Sequence, residues 1–98
     1  MRKVKVYLKP KSKMKDKKGR QWLGMNPEAA KPNKFHKIKH IEVSKAQSKK
    51  LQKRTARHEY IEEQLMKRGK TYKQAHKVAL KKDKKPVKGV KFKMVKKR

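Results

Sequence analysis

The sequence predicts a small α+β fold: a sheet of about three strands packed against a helical hairpin, in the order β-β-α-α-β. Three observations carry this expectation. Apolar residues alternate with lysine near both ends of the chain. The middle of the chain runs with a helical period, and a glycine followed by a capping signal divides that helical stretch in two. Ninety-eight residues bound the whole to one small domain, 1–98.

The first strand lies in 1–10, where Val4, Val6 and Leu8 alternate with Lys3, Lys5 and Lys9, the period of two of a half-buried strand. Residues 9–34 read as irregular. Within them, 11–20 is a flexible, lysine-rich loop without periodicity, and 21–32 is a loop anchored on the core edge by Trp22. A second strand is expected over 35–43, with a bulge or only a short pairing where the alternation slips between Ile38 and Ile41. Ser44 is a candidate cap for the long helix, which spans about 47–68 and stops at Gly69 after the basic pair Lys67-Arg68. Thr71 and Gln74 form a capping box for a shorter helix over 72–82, which residues 83–86 end. Val90, Phe92 and Met94 alternate with lysine as a third strand inside a basic C-terminal arm, 84–98.

Charge sets the first functional expectation. The chain holds 35 Lys and Arg against seven Asp and Glu, a formal net charge of +28. Such a surface repels itself, and a polyanion relieves it by releasing counterions. A 35-to-7 imbalance is too one-sided for stabilising ion-pair networks, which need both signs. No apolar run approaches the length of a membrane span, and no signal-peptide pattern is present, so membrane partners are not expected and a cytoplasmic location is. With no cysteine, disulfide staples and cysteine zinc fingers are excluded.

The expected partner is nucleic acid, RNA over DNA, bound through its phosphate backbone by a ribosomal or ribosome-associated protein without a cofactor. The candidate contacts are Lys3, Lys5, Lys9, Lys11, Lys13, Lys15, Lys17, Lys18 and Arg20 near one end. Near the other they are Lys84, Lys85, Lys88, Lys91, Lys93, Lys96, Lys97 and Arg98, so the termini resemble the basic arms of ribosomal proteins. Lysine, a point charge, far outnumbers the forked arginine, which favours backbone contacts over base readout. Tyr7, Trp22, Phe35 and Phe92 are stacking candidates, but each also suits a core or edge position, and Tyr7 alone shares the lysine face of its strand.

A second signal lies in the helices. At about 100° per residue, Leu51, Thr55, His58, Ile61, Glu62, Leu65 and Met66 share one arc of the long helix, with Tyr60 on the opposite side. His58 and Glu62 thus sit in the middle of the apolar stripe, and His76 sits in the middle of the Tyr72-Ala75-Ala79 face of the short helix. Two imidazoles and a carboxylate suit zinc, and the i, i+4 spacing puts two donors on one side of a helix. Glu59 then stands where a general base for a metal-bound water would stand. The same residues also suit a structural role, with Glu62 as a polar plug hydrogen-bonded to His58 or His76.

His58-Glu59-x-x-Glu62, followed by Gly69 and Tyr72-x-x-Ala75-His76-x-x-Ala79, resembles small zincin-like proteins of archaea and phages over about residues 36–80. The resemblance implies a helical hairpin on a small sheet, with His58, Glu62 and His76 as metal ligands and Glu59 as base. Its functional implication is a minimal metal-dependent hydrolase, peptidase-like or nuclease-like, or an inactive descendant of one.

Overall fold

In the computed structural model, which describes residues 2–96, the N-terminal strand β1 (Arg2–Lys9) lies inside the sheet. Its even-numbered residues point inward, with Val6 and Leu8 buried and Val4 packed against the same cluster. The C-terminal strand β4 (Val90–Lys96) runs parallel to β1 along one side, pairing Val4 with Phe92 and Val6 with Met94. On the other side β3 (Ile41–Ser44) is also parallel, pairing Val6 with Ile41 and Leu8 with Val43. A two-residue strand, β2 (Gly24–Met25), closes the sheet antiparallel to β3, giving the order β2-β3-β1-β4. The expected α+β architecture is present with four strands in place of about three.

Helices α2 (Lys49–Lys67) and α3 (Tyr72–Lys82) form the hairpin. Ser48, rather than Ser44, caps α2, its side chain accepting from the Leu51 amide. Gly69 takes the turn at φ 98°, a conformation that favours glycine, and the Thr71–Gln74 capping box forms in both directions. No helix among the described residues is long and apolar enough to cross a membrane.

Residues 9–34 are more ordered than their composition predicts. A 3-10 turn at Lys11–Lys13 leads to Met14, which is fully buried. Asp16 then organises the lysine-rich stretch, accepting from the amides of Lys18 and Arg20, the Arg20 guanidinium and the Trp22 indole. Burial alone would raise its pKa, but the bond from Trp22 and those from Arg20 and Lys18 hold it down at about 2. Asn26 caps a short helix α1 (Pro27–Ala30), with Pro27 at its first position.

One expectation is narrowed and one corrected here. Of the second strand only 41–44 forms, the short pairing that the slipped alternation allowed, because Phe35 and Ile38 turn away from the sheet. They join Met14, Met25, Ala29 and Ala30 in a second core built largely from loop residues. Tyr60 is buried in the main core against Phe92, with rings 5.7 Å apart, whereas Leu51 is exposed and Leu65 only half-buried. The long helix is covered from several sides: α1, β2 and β3 contact it as well as α3. Its buried residues (Ala56, His58, Glu59, Tyr60 and Glu62) therefore fill a wider arc than one stripe.

Candidate metal centre

Five of the chain's seven acidic residues, Asp16, Glu42, Glu59, Glu62 and Asp83, are buried, although the net charge is +28. Three of these five gather around His58. Burying a carboxylate demands partners, and the partners here define a site.

The hairpin turn brings α3 back along α2, so that His76 faces His58 and Glu62. His58 Nε2 lies 3.1 Å from Glu62 Oε2 and 3.1 Å from His76 Nδ1, and His76 Nδ1 lies 2.9 Å from Glu62 Oε2. At most two sides of such a triangle can be hydrogen bonds. If both imidazoles donate to the carboxylate, two N–H groups face each other; if one imidazole donates to the other, a bare nitrogen faces a carboxylate oxygen. One cation inside the triangle satisfies all three lone pairs. Tetrahedral zinc with N and O donors at about 2.0–2.1 Å places its ligand atoms roughly 3.3 Å apart, within a few tenths of an ångström of these separations. The donor set fits zinc in kind and in spacing.

Two residues that sequence reasoning passed over hold the triangle in place. Asp83, at the C-terminal end of α3, lies with Oδ2 3.0 Å from His58 Nδ1. It fixes the ring so that Nε2 faces the other donors, the usual task of a carboxylate behind a metal-binding histidine. Arg54 and Arg57 secure Asp83 in turn, through its carboxylate and its main-chain carbonyl respectively. Asn26 donates its side-chain amide to both Glu59 Oε1 at 3.0 Å and Glu62 Oε1 at 3.2 Å, tying the two carboxylates to the cap of α1. The readable signals were an aspartate alone in a lysine run and an Asn-Pro helix start.

Burial alone would lower the pKa of His58. Hydrogen bonding to Glu62, the charge of Glu59 and the bond to Asp83 outweigh it and raise the value from 6.5 to about 9. The Glu59 carboxyl moves upward as well, because it is desolvated and faces the charge of Glu62. Tyr72 stacks on His76 with ring centroids 5.4 Å apart, and burial followed by the charges of Glu62 and Glu59 raises its phenol.

Glu59 packs behind Gly24. A Cβ at position 24 would lie 2.5 Å from Thr55 Cγ2, 3.0 Å from Glu59 Cγ and 3.2 Å from Glu59 Oε2. Only glycine lets β2 approach α2 this closely. Gly24 also lines a cleft of about 400 Å³ that opens onto His58 and His76. Leu23, Leu51 and Leu80, which are 61%, 49% and 51% exposed, all line the same cleft. Among the lysines and arginines of the described residues only Arg54 lines it, and Asp83 engages that guanidinium.

The lysines proposed for nucleic acid are placed elsewhere. Lys3 pairs in register with Lys91 and Lys5 with Lys93. These four alternate with the inward-facing positions of β1 and β4, so they share the outer face of the sheet, away from the hairpin. Lys11, Lys13, Lys15, Lys17, Lys18, Lys84, Lys85, Lys88 and Lys96 are exposed, while Lys97 and Arg98 lie outside the described residues. Lys9 and Arg20 depart from the pattern: Lys9 is half-buried beside Glu42 at 3.6 Å, and Arg20 pairs with Asp16 at 2.8 Å. Of the aromatic candidates, Phe35 and Phe92 belong to the cores, Trp22 packs on the second core, and Tyr7 stays on the outer face. No family model, no curated protein and no solved structure matches the chain.

Proposed function

We propose that the chain is a metal-dependent hydrolase of the peptidase-like kind, with His58, Glu62 and His76 as the ligands of one zinc ion. The observation that carries this reading is the triangle of donor atoms, 2.9–3.1 Å on a side, which protons alone leave frustrated. Bound zinc would supply Lewis-acid polarisation of a carbonyl and an acidified water. The protein's own residues do the rest. Asp83 orients His58, Asn26 holds Glu62 and Glu59, and Glu59, buried behind Gly24 and next to His58 in sequence, is the carboxylate assigned to take up and return a proton. The three leucines favour a substrate with an apolar side chain. The scarcity of cations in the cleft argues against a phosphodiester, which needs positive charge at the reacting group. The resemblance to zincin-like proteins in residues 36–80 agrees with this assignment.

The test is zinc titration of metal-stripped protein, followed by hydrolysis of an unfolded, leucine-rich polypeptide. One equivalent of zinc should bind, and Glu59→Gln should keep the metal while losing turnover. Absence of zinc binding, or full turnover by Glu59→Gln, would overturn the assignment.

The register of lysines on the outer face favours a second, separate activity: binding of RNA through its phosphates. Lys3 and Lys5 lie about 6.6 Å apart along the strand, with Lys91 and Lys93 beside them on β4. If six to ten lysines contact phosphate, affinity should fall roughly 10³- to 10⁵-fold between about 50 and 200 mM salt. A flat salt response would remove this reading and leave the metal centre untouched.

A further inference from the structure

Glu42 is the buried acid with the poorest set of partners. It stands on the outer face of β3, in register with Tyr7, and its side chain is only 9% exposed. Oε2 lies 3.6 Å from Lys9 Nζ, but Oε1 is buried and has no hydrogen-bond partner among the described residues. The His36 imidazole is 3.9 Å from that oxygen, beyond bonding reach. An unsatisfied buried carboxylate oxygen is costly to maintain and is uncommon in folded proteins.

The cavity that Glu42 lines explains what the oxygen is suited to. It measures about 410 Å³ and is walled by the rings of Tyr7, His36 and His40, with Lys37 and Lys39 also lining it. The rings are held in place: His40 meets Tyr7 edge-on at 5.0 Å, and His36 stacks on Phe35 at 4.2 Å. Lys39 and His40 also line the adjoining hollow beside Lys3 and Lys5, so the cavity neighbours the lysines of β1.

Flat walls, a carboxylate with an unfilled oxygen and surrounding ammonium groups together select a planar ring that carries N–H donors on one edge and a phosphate on the other side. Among the bases, guanine presents two adjacent donors, its ring N–H and its exocyclic amine, to a carboxylate. Adenine and cytosine place an acceptor beside their amine, and uracil flanks its N–H with acceptors. Single-stranded RNA is read in this way, by splaying a base onto ring side chains and bonding its pairing edge.

We propose that the Tyr7–His36–His40–Glu42 cavity binds one guanine base of a single-stranded RNA whose phosphates follow the lysines of β1 and β4. This rests on the phosphate-binding reading above and adds to it a base preference.

The test uses the full chain and fluorescence anisotropy with a nine-residue oligouridylate, alone or with one central guanosine, inosine or adenosine. Guanosine should tighten binding roughly tenfold over uridine, within the range of a bidentate contact. Inosine, which lacks the exocyclic amine, should lose most of that gain, and adenosine should show none. Glu42→Gln should abolish the guanosine preference. Equal affinity for all four oligomers, inosine matching guanosine, or a preference that survives Glu42→Gln would each overturn the base assignment while leaving phosphate binding in place. Failure to bind any oligomer would overturn phosphate binding, and the base site with it. The inosine comparison uses the unaltered chain, so it decides the matter even if Glu42→Gln does not fold.

Discussion

The two faces of the sheet use the same strands for opposite chemistry. Toward the hairpin, Val4, Val6, Leu8, Ile41 and Val43 form an apolar floor, and beyond it lie the histidines with Glu59, Glu62 and Asp83. Toward solvent, Lys3, Lys5, Lys91 and Lys93 stand in rows. The period of two of a strand separates these inventories with one residue of resolution. The lesson is that net charge describes only the outside of this molecule. Its acids are mostly interior, and the interior is where the candidate metal ligands gather.

Removal of a ligand should break the comparison most severely. His58→Ala or Glu62→Gln should abolish stoichiometric zinc binding in a titration followed by calorimetry. Asp83→Asn, which among the three proposed ligands touches only the His58 ring, should weaken zinc by about 10- to 100-fold. Retention of native affinity in Asp83→Asn would mean that the ring does not need its carboxylate.

Next in size is the packing beneath the site. Tyr60→Ala should cost about 3–5 kcal/mol in denaturant unfolding, as for a buried aromatic truncated in a core. Leu51→Ala, on the exposed cleft, should stay within about 0.5 kcal/mol and lower only the turnover of apolar substrates. Equal costs would mean that α2 is rotated from its observed phase.

The outer face can be tested without touching the inner one. Replacing Lys3, Lys5, Lys91 and Lys93 together with Gln should reduce the slope of log affinity for single-stranded RNA against log salt by about 3. Zinc affinity should not change. A change in both would show that the faces are coupled.

The smallest expected effects come from pH. In the metal-free protein, His58 is raised from 6.5 to about 9. Its stabilising contribution is therefore full below pH 6.5 and disappears as pH rises through about 9. Glu59, also raised, acts in the same direction. Asp16 is lowered from 3.8 to about 2, so its contribution is full above pH 3.8 and is lost as pH falls through about 2. Thermal midpoints across pH should show a decline at each end, and Asp16→Asn should remove only the acid one.

Sequence reading succeeded where a local rule decides the outcome. β1 and β4 follow from alternation, the hairpin from Gly69 and the Thr71 box, and the meeting of His58, Glu62 and His76 from helical phase plus one tight turn. It fell short where tertiary contacts decide. A two-residue strand such as β2 has no period to detect; it exists because Gly24 admits α2 and Val43 offers a pairing edge. Tyr60 was misplaced because a helix touched on several sides has no single apolar stripe. Asp83 showed in the sequence only as an aspartate alone in a lysine run, because its role depends on where α3 ends relative to His58, a distance in space and not in sequence. The flexible loop expected over 11–20 is tied down by Asp16, whose four bonds no composition argument weighs.

All three donors and the aspartate behind them come from residues 58–83, a single helical hairpin, whereas the sheet joins strands from the two ends of the chain. Contacts close in sequence form early and at low entropic cost, while β1 must wait for β4. The candidate metal centre thus belongs to the part of the molecule able to assemble first. Zinc would act on the folding order itself: by closing the hairpin, it would present a finished surface on which the late, long-range sheet condenses. Amide exchange should then show the α2–α3 backbone as the most persistent unit of the zinc-loaded protein and β4 as the first to open.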